Sequence, residues 1–144
     1  MLESRPILLV DDDTVDAMAV RRALRELQVD NELRHVLNGE EALAYLRREG
    51  NETPCLILLD LNMPRMNGLE FLEALRADEA LNEIPVVVVT TSPDRQDVAR
   101  SAELGAASYI LKCADYAEFR ESMKAVQVYV TSAGLREGLE PAIP

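Results

Sequence analysis

Residues 7–13 read ILLVDDD, an unbroken apolar run that ends in three consecutive carboxylates. Two more short apolar runs follow, LILL at 56–59 and VVVV at 86–89. Each run is too short for a helix, and a continuous apolar run of this length is typical of a strand buried on both faces, as in a parallel sheet covered by helices. YIL at 109–111 is a shorter run of the same kind, and LRHVL at 33–37 contains polar residues, as expected of an edge strand. Five strands are therefore expected.

Stretches with helical features separate these five strands. Asp13 or Thr14 can cap a helix that runs to about Leu27, and Asp13 is interpreted as this N-cap in preference to an extra acid of a site. Further helices are expected over about 40–48, 69–77, 93–104 and 116–131. Strands that alternate with helices predict an α/β domain with right-handed crossovers. The expected fold is a flavodoxin-like (βα)5 three-layer sandwich with a parallel five-stranded sheet of order 2-1-3-4-5.

Length, charge and cysteine usage exclude several classes of protein. The 144 residues are the length of one domain, and 15 basic against 26 acidic residues give a net charge of −11. Such an acidic chain is expected to bind neither nucleic acid nor a membrane surface. Because no apolar run reaches the ~20 residues of a membrane span and no signal-peptide pattern opens the chain, we expect a cytoplasmic protein. Cys55 and Cys113 lack CxxC spacing and are expected to be reduced thiols, while His35, the single histidine, is expected to be solvated.

Acidic residues follow the strands at one edge of the expected sheet. Ligands of such sheets bind beyond the carboxyl ends of the strands where strand order reverses, here between the first and third strands. Because neighbouring strands lie about 4.8 Å apart, Asp12 and Asp60 are expected to emerge close together. Like charges that close repel unless neutralised, and Mg²⁺ prefers oxygen ligands and shares its shell with phosphate. Thr90 and Lys112 end the fourth and fifth strands and add a hydroxyl and an amine, which suits a phosphoryl group.

Four motifs together resemble the receiver domains of response regulators in two-component signalling. They are VDDD at 10–13, LLDLNMPRMNG at 58–68, VVVVTTS at 86–92 and YILK at 109–112, and the resemblance covers about residues 5–131. A receiver domain over residues 1–131 is therefore expected, followed by a C-terminal tail, 132–144, that is either flexible or docks in a dimer.

The resemblance implies a role for each matching residue. The implied roles are phosphoacceptor for Asp60, direct Mg²⁺ ligand for Asp12, ligand through water for Asp11, backbone-carbonyl ligand for Asn62, switch hydroxyl for Thr90, phosphate-pairing amine for Lys112 and switch aromatic for Tyr109. It further implies that a sensor histidine kinase supplies the phosphoryl group and that the resulting conformational change is read at the face of the fourth helix, fifth strand and fifth helix. The chain is thus expected to catalyse only its own phosphorylation and dephosphorylation, and not to be an enzyme acting on other substrates.

Some features resemble one group of regulators and others depart from the wider family. The spacing around residues 76–84, the pair Thr90-Thr91 and the absence of proline after Lys112 are similar to stand-alone regulators paired with bacterial phytochromes. Most receivers have a proline there, usually after a cis peptide bond. Here Cys113 takes the place of that proline. The sequence is compatible with either a strained cis peptide bond before Cys113 or a trans bond that leads the loop along a different path. A broad apolar surface on the fifth helix favours a homodimer through the fourth helix, fifth strand and fifth helix.

Three other functions compete with the receiver interpretation. DDDTV at 11–15 fits the DxDx[TV] motif of haloacid-dehalogenase-like phosphatases, with Asp11 as nucleophile, but that family needs a further acidic motif and leaves Asp60 unexplained. Flavin mononucleotide binding is disfavoured by the acidic loop after the first strand and the absence of tryptophan. A non-phosphorylated receiver-like adaptor is disfavoured because the acidic, hydroxyl and amine residues are all present.

Overall fold

Five short strands alternate with five helices in the computed structural model, which describes residues 5–63 and 66–135, the last five of them as backbone only. The strands are β1 (Ile7–Val10), β2 (Leu33–Val36), β3 (Leu56–Leu59), β4 (Val86–Thr90) and β5 (Ser108–Leu111). The helices are α1 (Thr14–Glu26), α2 (Gly39–Arg47), α3 (Gly68–Ala77), α4 (Arg95–Glu103) and α5 (Tyr116–Leu135). All strand pairs are parallel and the order is β2-β1-β3-β4-β5, which confirms the predicted topology.

The sheet is the middle of three layers. Every residue of β1, β3 and β4 is buried, because helices cover both faces of these strands. Alternate strand residues point into two cores, one closed by α1 and α5 and the other by α2 and α3. β2 lies at the edge of the sheet and is half-buried throughout, as its polar residues predict.

The helix starts follow from capping side chains. Asp13 accepts hydrogen bonds from the backbone N–H groups of Val15 and Asp16, so its predicted role as the N-cap of α1 is confirmed. Asn67 and Glu70 form a capping box at the start of α3.

At the other end of the chain, α5 continues to Leu135, beyond the expected end at about residue 131. The next proline in the sequence is Pro141, so no proline ring obstructs the helix over 132–135. The remainder of the expected tail, 136–144, lies outside the described residues.

Gly68 brings α3 directly against the loop that follows β3. A Cβ atom at this position would lie 2.6 Å from Cα of Leu61 and would collide with the backbone carbonyl oxygen of Asp60. The N–H of Gly68 donates to the carbonyl of Leu61 at 3.1 Å. The close approach requires a residue without a side chain, and it fixes the backbone at the carboxyl end of β3.

Arg76 binds backbone groups at the opposite end of the sheet. Its guanidinium donates to four carbonyl oxygens, those of Leu104 at 2.8 Å, Asn82 at 2.9 Å, and Ile84 and Gly105 at 3.1 Å. These contacts join the last turn of α3 to the segment before β4 and to the end of α4. Part of the stretch at 76–84 is therefore organised around this one side chain.

No helix within the described parts of the chain is both long enough and apolar enough to cross a membrane. Cys55 is buried and Cys113 is exposed, and both are free thiols, as expected.

Candidate functional site

Three carboxylates meet at the carboxyl ends of β1 and β3. Val10 pairs with Leu59 in the register of these strands, and the N–H of Asp60 donates to the carbonyl of Val10 at 2.9 Å, so the two strands end at the same level. Carboxylate oxygens of Asp11, Asp12 and Asp60 lie within 4.8 Å of one another. Asp11 is 1% exposed and Asp60 5% exposed, whereas Asp12 faces solvent. The predicted proximity of Asp12 and Asp60 is confirmed.

Lys112 enters the same site from the end of β5. Its backbone N–H donates to the carbonyl of Thr90 at 2.8 Å, which continues the pairing of β4 with β5 past the last strand residue. Its ammonium donates to Asp11 at 2.8 Å, to Asp16 at 2.9 Å and, more weakly, to Asp60 at 3.4 Å. The described residues contain no cis peptide bond, so the bond between Lys112 and Cys113 is trans, and the amine still reaches the acids.

The site carries an excess of negative charge in a poorly hydrated position. Burial raises the pKa of the Asp11 carboxyl above its ordinary value, and the hydrogen bond from Lys112 opposes this only in part. Burial alone would favour the neutral amine of Lys112, but its hydrogen bonds to Asp11 and Asp16 raise its pKa above the ordinary value. One ammonium thus contacts Asp11, Asp16 and Asp60, and Asp12 adds a further carboxylate to the same cluster. Hard oxygen donors that crowd together with unbalanced charge fit a divalent cation such as Mg²⁺.

Thr90 and Asn62 lie beside these acids. Thr90 is fully buried, and its hydroxyl oxygen accepts from the Asn62 side chain at 3.5 Å and from the N–H of Ser92 at 3.4 Å. The N–H of Asn62 donates to the Asp60 carboxylate at 3.2 Å. Asn62 therefore connects the Asp60 carboxylate to the Thr90 hydroxyl.

Tyr109 is connected to Thr90 through Ser92. Its ring is half-buried, and its hydroxyl donates to the backbone carbonyl of Ser92 at 2.8 Å. Burial raises the pKa of this phenol. Because Ser92 contacts both Thr90 and Tyr109, the two residues with implied switch roles share a neighbour. The switch roles of Thr90 and Tyr109 stay predictions.

Sequence reasoning missed two contacts of the site. Asp16 lies in the first turn of α1, and its position beside Lys112 depends on how the helix leaves β1, which no motif of the chain encodes. His35 was expected to be solvated, and this was wrong: it is half-buried, and its Nε2 lies 2.7 Å from the backbone carbonyl oxygen of Asp11. Leu9 pairs with His35 in the sheet register, and that pairing brings the imidazole to the end of β1.

The chain matches a family model and a known regulator over most of its length. Residues 7–124 match the model of the response regulator receiver domain. The chain is 35% identical to response regulator Rcp1 of Synechocystis sp. over 134 residues, which cover 88% of this chain and 91% of that protein.

Two solved structures share the architecture. One is the phosphorylated cyanobacterial phytochrome response regulator RcpA, 37% identical, with a TM-score of 0.80 over 89% of this chain and 94% of that one. The other is the Mn²⁺-bound form of Rcp1, 34% identical, with a TM-score of 0.79 over 96% of this chain and 99% of that one.

Proposed function

The chain belongs to the response regulator receiver domain family, and on that basis we propose that it is a single-domain response regulator whose Asp60 accepts a phosphoryl group from a sensor histidine kinase. The observation that carries the proposal is the Lys112 ammonium held among Asp11, Asp16 and Asp60 at the end of β3. An amine in that position balances only part of the negative charge around Asp60. A cation and a transferred phosphoryl group would each find complementary groups there.

The proposed chemistry is nucleophilic transfer to a carboxylate. A carboxylate oxygen of Asp60 attacks the phosphorus of a phosphohistidine, the new O–P bond forms as the P–N bond breaks, and the imidazole leaves with the electron pair of that bond. Contacts from Asn62 and Lys112 hold the two Asp60 oxygens in place before the reaction. Lys112 then donates to an oxygen of the transferred group. The resulting aspartyl phosphate carries more negative charge than the carboxylate and more acceptor oxygens.

Mg²⁺ is the proposed cofactor. The carboxylates of Asp11, Asp12 and Asp60, with the backbone carbonyl of Asn62, would hold it, Asp11 through a water molecule. The ion would neutralise charge between the nucleophile and the phosphoryl oxygens. The fit rests on the donor set alone, which consists of hard oxygen ligands.

The proposed output is a change in the face formed by α4, β5 and α5. We propose that Thr90 and Tyr109 respond to the phosphoryl group, since both contact Ser92 at the end of β4. Val98 and Leu111 are exposed on this face, 39% and 43% respectively, and apolar groups on a readout surface suit a protein contact, including a homodimer. Sedimentation of phosphorylated and unphosphorylated protein tests the dimer, and a monomer in both states at high concentration would exclude it.

The kinase is proposed to be a bacterial phytochrome, in the cytoplasm. RcpA, which is similar to this chain over most of both lengths, is a phytochrome response regulator. The proposed activity is confined to phosphorylation and dephosphorylation of the chain itself.

Incubation with acetyl phosphate and Mg²⁺, and then with phytochrome histidine kinases, tests the phosphoacceptor assignment. Peptide mass spectrometry should locate the label on Asp60, and Asp60→Asn should abolish it. Label on Asp11 would favour the phosphatase chemistry, and label that survives Asp60→Asn would reject Asp60 as the nucleophile. A folded protein that no donor labels would favour an adaptor.

A further inference from the structure

Asp16 contacts the site from α1, and none of the motifs that resemble the family includes it. Its carboxylate accepts from the Lys112 ammonium at 2.9 Å, a shorter contact than the 3.4 Å between Lys112 and Asp60. An ammonium has three N–H donors, and Asp11, Asp16 and Asp60 take all three. Lys112 therefore lies nearer to Asp11 and Asp16 than to the proposed phosphoacceptor.

A phosphoryl group on Asp60 would bring further acceptor oxygens to an ammonium whose three N–H donors are already taken. Charge-assisted N–H···O contacts are about 2.7–2.9 Å long, so a contact of that strength to the new oxygens competes with Asp11 and Asp16, which hold the ammonium at 2.8 Å and 2.9 Å. Asp11 is the harder group to release, because it is 1% exposed and water cannot readily replace the ammonium there. Asp16 is the easier one to release, because its side chain is 36% exposed.

Space for water lies beside Asp16. A cavity of about 40 Å³ is lined by Asp16, Ala19, Lys112, Cys113 and Phe119. One water molecule requires about 10–15 Å³ measured in this way, together with polar partners. Water can therefore replace the ammonium at the Asp16 carboxylate when Lys112 shifts towards Asp60.

We propose that Asp16 is a positioning residue that competes with the phosphoryl group for Lys112, and so weakens the hold of the site on that group. This proposal rests on the phosphoacceptor function proposed above. In the unphosphorylated protein Asp16 keeps the ammonium beside α1. After phosphoryl transfer the ammonium moves towards Asp60, and Asp16 faces water. The contact between Asp16 and Lys112 thus sets part of the free-energy difference between the two states.

Beryllofluoride, a tetrahedral mimic of a phosphoryl group on a carboxylate, tests the competition without any turnover. It is titrated into the full chain at fixed Mg²⁺, and binding is followed by NMR chemical shifts. Asp16→Asn keeps the shape but removes the charge, and should bind beryllofluoride about threefold more tightly, the size expected for a partly exposed ion pair. Asp16→Ala should bind it at least as tightly, and Asp16→Glu should return the affinity towards that of the unsubstituted protein.

The matched control is Glu118→Gln, which removes the same charge from the exposed first turn of α5. Its beryllofluoride affinity should stay near that of the unsubstituted protein. Mg²⁺ titrated alone should bind Asp16→Asn no differently from Glu118→Gln.

Two outcomes would overturn the competition. An Asp16→Asn variant that binds beryllofluoride no more tightly than the unsubstituted protein, or more weakly, would show that Asp16 does not oppose the phosphoryl group. An equal gain in beryllofluoride affinity in Glu118→Gln would show that the effect comes from the net charge of the protein and not from the contact between Asp16 and Lys112. If the unsubstituted protein itself binds no beryllofluoride, the phosphoacceptor function fails, and the role of Asp16 fails with it.

Discussion

Two cationic side chains, Lys112 and Arg76, each join several elements at opposite ends of the sheet, and they do so with opposite kinds of partner. Lys112 donates to three carboxylates, whereas Arg76 donates to four neutral backbone carbonyls. The pKa shifts follow this difference. Hydrogen bonds to acids raise the pKa of Lys112 against the effect of burial, while burial lowers the pKa of Arg76.

The contacts of Lys112 can be exchanged for others, whereas those of Arg76 are structural. A cation among carboxylates can be repositioned by any new charge that enters the site, since the balance of attraction and repulsion changes. A guanidinium bound to carbonyls is insensitive to such changes, and it also satisfies carbonyls at helix ends that would otherwise need other donors. The site end of the molecule is therefore suited to switching and the Arg76 end to holding three segments together.

The largest effect is expected from Arg76→Met. It leaves four carbonyls without this donor and should lower the free energy of unfolding by about 3 kcal/mol, since water replaces the lost bonds only in part. Urea denaturation with and without Mg²⁺ measures it. Mg²⁺ should stabilise the variant as much as the parent. Arg76→Lys is the matched control. Its free energy of unfolding should be nearly as low as that of Arg76→Met, because an ammonium cannot reproduce the planar fork of N–H donors of the guanidinium. A loss below about 1 kcal/mol would contradict the structural role.

Lys112→Met should give a smaller loss that depends on metal. Without Mg²⁺ it leaves Asp11 buried and unpaired, and we expect about 2 kcal/mol of destabilisation, less than for a fully buried pair because Asp11 can take up a proton. Excess Mg²⁺ should recover most of this loss, since a divalent cation can neutralise the same acids. If Lys112→Met lost the same free energy of unfolding in EDTA and in Mg²⁺, Lys112 would be a structural cation like Arg76, and the contrast between the two residues would be contradicted.

Asp12→Asn should change stability in the opposite direction. It removes one of the clustered like charges, so in EDTA the variant should be more stable than the parent by about 1 kcal/mol. Mg²⁺ should then stabilise it far less than the parent. Thermal unfolding in the two buffers measures both effects. A variant that is less stable than the parent in EDTA would show that the acids do not repel one another appreciably.

Glu26→Gln should give the smallest change, because this ion cluster is exposed. Hydrogen bonds from Arg120, Arg22 and Tyr116 lower the pKa of Glu26 from 4.5 to about 2. A lowered folded-state pKa stabilises the fold above the unfolded value and loses this contribution as the pH falls towards 2. The parent should therefore lose stability relative to Glu26→Gln over that acid range. Melting curves at a series of pH values measure it, and a parallel pH dependence in both proteins would contradict the assignment.

The fold and the acids of the site could be predicted because both depend on local pattern. Apolar runs buried on both faces identify β1, β3 and β4, and residues placed directly after such strands must meet at one edge of a parallel sheet. That reasoning is sufficient for Asp11, Asp12, Asp60 and Lys112, and the structure brings all four together.

The contacts that were missed depend on the path of the chain between elements. Asp16 reaches Lys112 because of the angle at which α1 leaves β1, and His35 reaches Asp11 through the register of two strands. Arg76 binds backbone carbonyls, which every residue has, so no residue type marks its partners in the sequence. The trans bond before Cys113 could not be chosen in advance because two conformations of the loop remained open.

The contact between His35 and the backbone of Asp11 makes the protein its own spectroscopic probe. The chain has a single histidine, so its imidazole contributes one set of ring signals, and these come from a group 2.7 Å from the backbone of an acid of the site. Nitrogen and proton resonances of that ring should respond when the strand end rearranges, without any introduced fluorophore or spin label. Occupancy of the site could thus be followed in the unmodified protein, from a position on the edge strand outside the residues proposed for phosphoryl transfer.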